Sequence, residues 1–200
     1  MANELMLKAG SIIHPSNKRI AVILPGIGYT CDKPLLYYSA KLAASLGWDV
    51  MPVPYGGFPP KVRGDMEKLL QSLQLALSQT EERLAGIDWK QYQDILFISK
   101  SIGTAAATIY ACMHGLQCSH ILFTPVEATF DKQPNDAIAF HGTADPWADT
   151  PRIVSLCREA GIPLHITENA NHSLETGDVM LDVQNLNTVI QQVKAYMTQK

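Results

Sequence analysis

The stretch FISKSIGTAAA, residues 97–107, places Ser101 where an apolar run ends and a helix-forming run of alanines begins. A serine at such a corner can cap the helix, belong to a phosphate-binding loop, or act as a nucleophile. A nucleophile on a tight strand-to-helix turn needs small residues two positions before and after it, and Ser99 and Gly103 meet that need. A phosphate-binding loop requires more glycines followed by Lys and then Ser or Thr, an order that SKSIGT lacks.

A serine hydroxyl becomes a good nucleophile only when a base takes its proton, so a histidine should lie near Ser101. Of the six histidines, His172 is the best placed, because it lies in the polar stretch NANHSLE after the last predicted strand. His141 lies at a strand end directly before Gly142 and is interpreted as a core or supporting residue. The remaining four lie in or beside predicted strands and helices and are interpreted as structural: His14, His114, His120 and His165.

The base in turn needs a carboxylate that fixes its tautomer and stabilises the imidazolium. Asp145 fits this role, because it follows a predicted strand in the turn GTADP and precedes His172 by one helix, one strand and a loop. It could also be a plain turn residue, since aspartate is common in turns. Asp149 precedes Thr150 and a proline and is better explained as a helix cap. Glu127, at the end of an earlier strand, is the second candidate for the acid.

Hydrophobic periodicity predicts that strands and helices alternate along the chain. Apolar runs predict strands over 19–25, 48–55, 93–99, 119–126, 137–142 and 163–168. Helical spacing predicts helices over 33–47, 61–86, 104–114, 151–160 and 179–197. This pattern indicates an α/β fold with a mostly parallel central sheet and helices on both faces, in a single domain spanning residues 1–200. In such sheets ligands bind at the carboxyl ends of the strands, where the three candidate residues fall.

Composition and charge argue against several classes of partner. The chain has 16 basic and 19 acidic residues, a net charge of −3 and no basic run longer than Lys18-Arg19, so nucleic acid is not an expected partner. No apolar stretch reaches the ~18 residues that would span a membrane, and the start MANELMLKAGSIIHPS has no secretory-signal pattern. The four cysteines have neither CxxC nor metal-ligand spacing, which predicts reduced thiols, no metal site and a cytoplasmic location.

The order Ser101, Asp145, His172, together with the elbow SKSIG, the turn HGTADP and the loop PGIGYT, resembles the α/β-hydrolase superfamily. The chain looks most like the small capless esterases and the dienelactone-hydrolase-like members. The resemblance covers nearly the whole chain, from about Ile20 to the final helix. It implies a minimal α/β-hydrolase fold and a Ser-His-Asp triad that hydrolyses a small ester or related acyl compound through an acyl-enzyme, without a cofactor.

The resemblance also implies an oxyanion hole made of two backbone N–H groups. One belongs to Ile102, directly after the nucleophile, and the other to Ile27 in the early loop, with Gly28 as the alternative. Two positions depart from the family pattern. Ser99 stands where glycine is usual, and Pro25-Gly26 stands where His-Gly is common.

Larger relatives insert a lid between the strand that ends near Thr124 and the strand that begins near Ala137. This chain has only PVEATFDKQPND there, which predicts an open groove for a small-molecule substrate. Phe130 and Trp147 could equally be core aromatics. The groove is expected to be lined by Ile27, Tyr29, Val126, Phe130 and Trp147, with Glu127 as a further substrate contact.

Two other functions stay open at this stage. A hydrolase-like scaffold that has lost catalysis would serve as a binding or interaction protein, because a sequence does not show that three distant side chains meet. The loop PGIGYT could also bind the phosphates of a nucleotide, but it lacks the third glycine and the acidic ribose ligand of that motif. The oligomeric state is not predicted.

Overall fold

A computed structural model describes residues 18–200 in full and the backbone alone of residues 5–7 and 11–13. His14 and most of the segment considered for a secretory signal lie outside the described residues. The described residues build one sheet of eight strands. These are β1 Leu5–Leu7, β2 Ser11–Ile13, β3 Arg19–Leu24, β4 Asp49–Pro52, β5 Asp94–Lys100, β6 Ser119–Phe123, β7 Ala137–Gly142 and β8 Leu164–Thr167.

The strands lie side by side in the order β1-β2-β4-β3-β5-β6-β7-β8. The six strands from β4 to β8 in this order are parallel, whereas β2 pairs antiparallel with both β1 and β4. Because parallel strands have their carboxyl ends on one edge, the loops that follow β3, β5, β7 and β8 all meet there. That edge carries the candidate site.

In the part of the chain that the structure describes, five α-helices cover the sheet, in agreement with the predicted alternation. They are α1 Pro34–Ser45, α2 Met66–Leu84, α3 Ile102–Met113, α4 Thr150–Glu159 and α5 Val179–Met197. Two short 3-10 helices, Trp89–Gln91 and Glu127–Lys132, join them. The long predicted helix over 61–86 begins later, at Met66, because Asp65 caps it by accepting a hydrogen bond from the Lys68 N–H at 3.1 Å.

Strand β3 shows how the sheet divides the core into two layers. Ala21 and Ile23 point toward α1 and α5, while Val22 and Leu24 point toward α2 and α3. All four residues are almost fully buried, which explains why the sequence of this strand is a continuous apolar run. Helix α4 packs through Ile153 on the residues of β6 and β7 that face the second layer.

The connection between β6 and β7 contains no cap domain. Between Thr124 and Asp136 it forms only the 3-10 helix Glu127–Lys132. Phe130 in this helix is 8% exposed and packs in the core with Leu122 and Ala139, so the structure favours the core alternative for this aromatic residue.

The first turn of α3 lies directly against the backbone that follows β3. A side chain at Gly103 would collide with the carbonyl oxygens of Leu24 and Pro25. Both neighbours are main-chain atoms at the end of a central strand, which cannot move aside without distorting the sheet. Only glycine therefore allows the helix to begin this close to the end of β3.

We expect Gly103→Ala to lower the free energy of unfolding by about 1–3 kcal/mol, the usual effect of overpacking a rigid site. Gly86→Ala is the matched control, because no heavy atom lies within 4 Å of the added methyl group. Denaturant unfolding measures both variants. Equal midpoints for Gly103→Ala and the unaltered protein would show that this close approach does not exist.

Candidate active site

Ser101 lies between β5 and α3 in a backbone conformation that residues other than glycine rarely adopt, with φ 55° and ψ −126°. It occupies the N-cap position of α3, yet its side chain makes no capping hydrogen bond, so the helix-cap interpretation is wrong. Its N–H donates to the Phe123 carbonyl at 3.0 Å, which ties the corner to β6. Such a strained turn directs the hydroxyl away from its own helix.

His172 connects Ser101 to Asp145 through a chain of two hydrogen bonds. Its Nε2 lies 2.7 Å from the Ser101 Oγ, and its Nδ1 lies 2.6 Å from the Asp145 Oδ2. When Nδ1 carries the proton and donates it to the carboxylate, Nε2 is left to accept the proton of the hydroxyl. The structure therefore brings together the three residues that the sequence analysis selected.

The carboxylate of Asp145 has two close neighbours besides His172. Its Oδ1 accepts a hydrogen bond from the Trp147 N–H at 2.8 Å. His141, which is fully buried, places its Nδ1 3.8 Å from the Asp145 Oδ2 and bonds to the Thr150 hydroxyl through Nε2 at 2.8 Å. The Nδ1 of His141 makes no hydrogen bond within residues 18–200, so His141 is a buried core neighbour of the carboxylate, one of the two roles that the sequence analysis left open.

The backbones that carry Asp145 and His172 are joined directly. The Ala144 N–H donates to the Ala170 carbonyl at 2.9 Å, and the Thr143 N–H donates to the Thr167 carbonyl at 3.1 Å. A side chain at Gly142 would collide with the Ala170 carbonyl, so this position also requires glycine. The acid and the base are therefore fixed relative to each other by main-chain contacts.

Burial and nearby charges set the protonation of the pair. Burial alone would raise the pKa of Asp145, but the hydrogen bond from His172 and the Trp147 N–H outweigh it, and the pKa lies below its ordinary value. Burial lowers the pKa of His172, and the charge of Lys100 lowers it further, while the hydrogen bond to Asp145 acts in the opposite direction. At neutral pH the carboxyl is charged and the imidazole is neutral, the form in which it can act as a base.

The loop after β3 forms a tight turn beside Ser101. The Gly26 N–H donates to the Tyr29 carbonyl at 3.0 Å, and the Tyr29 N–H donates to the Gly26 carbonyl at 3.2 Å. A Cβ atom on Gly26 would lie 3.0 Å from the Ser101 Cβ, so the turn rests against the corner. Within residues 18–200, the N–H groups of Ile27 and Ile102 have no hydrogen-bond acceptor, so both remain available as donors.

The other predicted site residues have different surroundings. Trp147 stacks on His172 with ring centroids 5.6 Å apart. Glu127 is exposed and accepts a hydrogen bond from Arg152 at 3.1 Å, so the partner of His172 is Asp145 and not this earlier acid. Asp149 caps α4, as predicted. The substrate-binding roles of Glu127, Trp147 and Tyr29 remain predictions.

Tyr29 is almost fully buried, and its hydroxyl accepts a hydrogen bond from the Leu35 N–H in the first turn of α1. Its ring also borders a hollow of about 400 Å³ beside the loop that carries His172. Apolar side chains form much of the remaining wall, among them Leu35, Leu174, Val183 and Leu186.

The sequence analysis overlooked Lys100, the last residue of β5. This lysine is only 2% exposed, and its ammonium lies 4.9 Å from the centre of the Tyr29 ring. Burial lowers the pKa of Lys100 to about 7, although Asp145 and Glu175 act in the opposite direction. The available signal was a charged residue at the end of an otherwise apolar strand, directly before the candidate nucleophile.

Three further observations concern metals, thiols and membranes. Within residues 18–200 no group of three or more His, Cys, Asp and Glu side chains is arranged to hold a metal ion. All four cysteines are free thiols. No helix in the described part of the chain combines the length and the apolar character that crossing a membrane requires. A cytoplasmic location remains a prediction.

The sequence matches no protein-family model and no curated protein. Solved structures resemble it along most of its length. Est1E from Butyrivibrio proteoclasticus has a TM-score of 0.67 at 12% identity, covering 92% of this chain and 89% of its own. An esterase from Pyrococcus furiosus has a TM-score of 0.64 at 12% identity, with 92% and 84% covered. A lidless α/β serine hydrolase from Xanthomonas campestris has a TM-score of 0.60 at 14% identity, with 93% and 85% covered.

Together with the sheet topology, these similarities show that the chain has the α/β-hydrolase fold. The predicted fold class and the resemblance to the superfamily are confirmed at the level of the fold. The Xanthomonas campestris structure is described as lacking a lid, and this chain likewise has no cap between β6 and β7.

We expect His172 to titrate below the ordinary pKa of histidine and to titrate still lower in Asp145→Asn, because the carboxylate is the group that raises its pKa. The imidazole resonances followed by NMR from pH 4 to pH 8 measure both values. Glu127→Gln is the control and should leave the titration of His172 unchanged, since Glu127 pairs with Arg152. A higher pKa in Asp145→Asn would contradict the hydrogen bond between the two side chains.

Proposed function

We propose that the protein is a serine hydrolase that cleaves a small ester or a related acyl compound through an acyl-enzyme. The observation that carries this proposal is the unbroken hydrogen-bond chain from the Ser101 hydroxyl through His172 to Asp145, at a strained corner of the backbone. Two structures with the same fold come from an esterase and a serine hydrolase, and Est1E has been solved with ferulic acid bound. These similarities support the proposal that the protein is a hydrolase.

The first half of the reaction forms the acyl-enzyme. The Ser101 Oγ attacks the carbonyl carbon of the ester while His172 takes the hydroxyl proton on Nε2. Asp145 keeps the Nδ1 proton in place and stabilises the imidazolium. When the tetrahedral intermediate collapses, the bond to the leaving oxygen breaks, and that oxygen takes the proton from His172 as the alcohol departs.

The negative charge that forms on the carbonyl oxygen needs hydrogen-bond donors that are already in position. The N–H of Ile102 is one, because it lies at the first position of α3, where a helix has no internal acceptor for it. The positive end of the helix dipole adds to its effect. The N–H of Ile27 is the second, because the turn that contains it packs against Ser101.

The second half of the reaction returns the enzyme to its starting state. A water molecule gives a proton to the Nε2 of His172 and attacks the acyl carbon. The same two N–H groups hold the second oxyanion. His172 then returns the proton to the Ser101 Oγ, the acyl bond breaks, and the carboxylic acid leaves.

The short connection between β6 and β7 argues for a compact acyl group. No cap domain covers Ser101 from that side, so a long alkyl chain would stay largely in water. Each methylene left in water forgoes ~0.8 kcal/mol of transfer free energy. We therefore propose that the substrate has a short or compact acyl part.

We expect Ser101→Ala to abolish both labelling by a fluorophosphonate probe and hydrolysis of p-nitrophenyl acetate, because the nucleophile is gone while the fold is kept. Ser173→Ala is the matched control, since this serine directly follows His172 and its hydroxyl makes no hydrogen bond within residues 18–200. It should label like the unaltered protein. Labelling that persists in Ser101→Ala, or that never occurs in the unaltered protein, would contradict the proposal.

We expect kcat/KM for p-nitrophenyl esters not to rise with chain length from acetate to palmitate, because the longer chain gains no burial in the transition state. A series of even-numbered esters measured below their micelle concentrations tests this. A steady rise toward palmitate would mean that the hollow beside Tyr29 receives the acyl chain, and the proposal of a compact acyl group would then be wrong.

A further inference from the structure

Lys100 is a charged residue in a place where lysine is rarely found. It is only 2% exposed, and the groups that act on its ammonium are the Tyr29 ring and the more distant charges of Asp145 and Glu175. Buried ammonium groups are costly unless a partner compensates for the lost water. The nearest partner is the face of the Tyr29 ring, 4.9 Å from the ammonium to the ring centre, and the negative charges of Asp145 and Glu175 also favour the charged form.

The Lys100 side chain contacts both ends of the turn beside Ser101. Its stem runs along Gly26, where an added Cβ atom would lie 3.1 Å from the Lys100 Cδ. Its ammonium lies over Tyr29, whose backbone closes the same turn through two hydrogen bonds with Gly26. One side chain therefore fixes the beginning and the end of the turn, and Ile27 lies between them.

We propose that Lys100 is a positioning residue, which holds the turn Gly26–Tyr29 and the N–H of Ile27 against the nucleophile. The inference rests on the proposed function, because the turn matters only if its N–H binds an oxyanion. Lys100 directly precedes Ser101, so the same backbone carries the nucleophile and the side chain that holds the second donor.

The charge of Lys100 makes this contact sensitive to pH. Titratable groups face it from three loops: Tyr29 after β3, Asp145 after β7, and His172 and Glu175 after β8. Burial brings the pKa of Lys100 to about 7. A lowered lysine pKa means that the ammonium is present below about pH 7 and is lost above it. The attraction to the Tyr29 ring is lost with it, because only the charged form is drawn to the ring face.

The deciding experiment replaces Lys100 by methionine, which keeps an apolar stem beside Gly26 and removes the charge. We expect kcat for p-nitrophenyl acetate to fall about 10- to 100-fold, because a misplaced oxyanion donor acts on the transition state. KM should change by no more than about twofold, since ground-state binding does not use this contact.

The pH profile gives a readout that a merely structural role would not change. In the unaltered protein, kcat/KM should decline on the alkaline side with a midpoint near the Lys100 pKa of about 7. In Lys100→Met this alkaline decline should be absent. The acid limb should move to higher pH, because the Lys100 charge that lowers the His172 pKa has been removed.

Two variants of Tyr29 keep the inference testable even if Lys100→Met does not fold. Tyr29→Phe retains the ring face, so it should keep the alkaline decline of the unaltered protein. Tyr29→Leu removes the ring face and should lose the decline, as Lys100→Met does. The double variant with Lys100→Met should be no slower than the slower single variant, because both changes break one contact.

The outcomes separate this inference from the proposed function. If the unaltered protein neither reacts with a fluorophosphonate nor hydrolyses esters, the proposed function is wrong. If it is active and Lys100→Met keeps the same kcat and the same pH profile, only the inference is wrong. A loss in Lys100→Met that is confined to esters bearing a carboxylate would also overturn it, because Lys100 would then bind the substrate directly.

Discussion

The candidate site depends on how closely the backbone after β3 approaches the corner between β5 and α3. A side chain is excluded at Gly103 by main-chain carbonyl oxygens, and at Gly26 an added Cβ atom would be closer than ordinary contact to Ser101 and Lys100. This approach lets α3 begin beside the end of β3 and packs the turn that contains Ile27 against the corner at Ser101, directly before Ile102. The strained backbone of Ser101 persists because the packed segments on either side leave it no other conformation.

The pairing of His172 with Asp145 and not with Glu127 illustrates the limits of the rule that ligands bind at the carboxyl ends of parallel strands. Both acids follow strands at the same edge, so the rule places both near the site. Which acid pairs with His172 depends on the main-chain contacts between the loops after β7 and β8. Gly142 allows the Ala170 carbonyl to come close to the loop after β7. Those contacts bring His172 to Asp145 and leave Glu127 to pair with Arg152. A turn aspartate before proline and a catalytic aspartate look the same in sequence.

Much of the fold was predictable because long apolar runs and helical spacing are strong signals. Strand β7 and helix α5 were predicted with the bounds that the structure has. The mostly parallel arrangement of the strands was predicted from the alternation of strands and helices along the chain. The strands β1 and β2 were missed because three residues are too few to establish a period. Lys100 was missed for a different reason: a lysine at the end of an apolar strand is usually exposed, and the tertiary contact with Tyr29 that accompanies its burial is not visible in the sequence.

Burial shifts the pKa of Asp145, His172 and Lys100 at this edge of the sheet, but with different results. For Asp145 the hydrogen bonds from His172 and Trp147 overcome it, and the carboxyl stays charged. For His172 burial prevails, and the imidazole stays neutral and able to accept a proton. Lys100 lies between these cases, because burial lowers its pKa and the charges of Asp145 and Glu175 compensate only in part, which leaves a pKa of about 7. Burial thus keeps His172 neutral at neutral pH, and it also makes the positive charge of the neighbouring Lys100 depend on pH. The protonation states of the two groups are linked because both are buried at the same edge of the sheet.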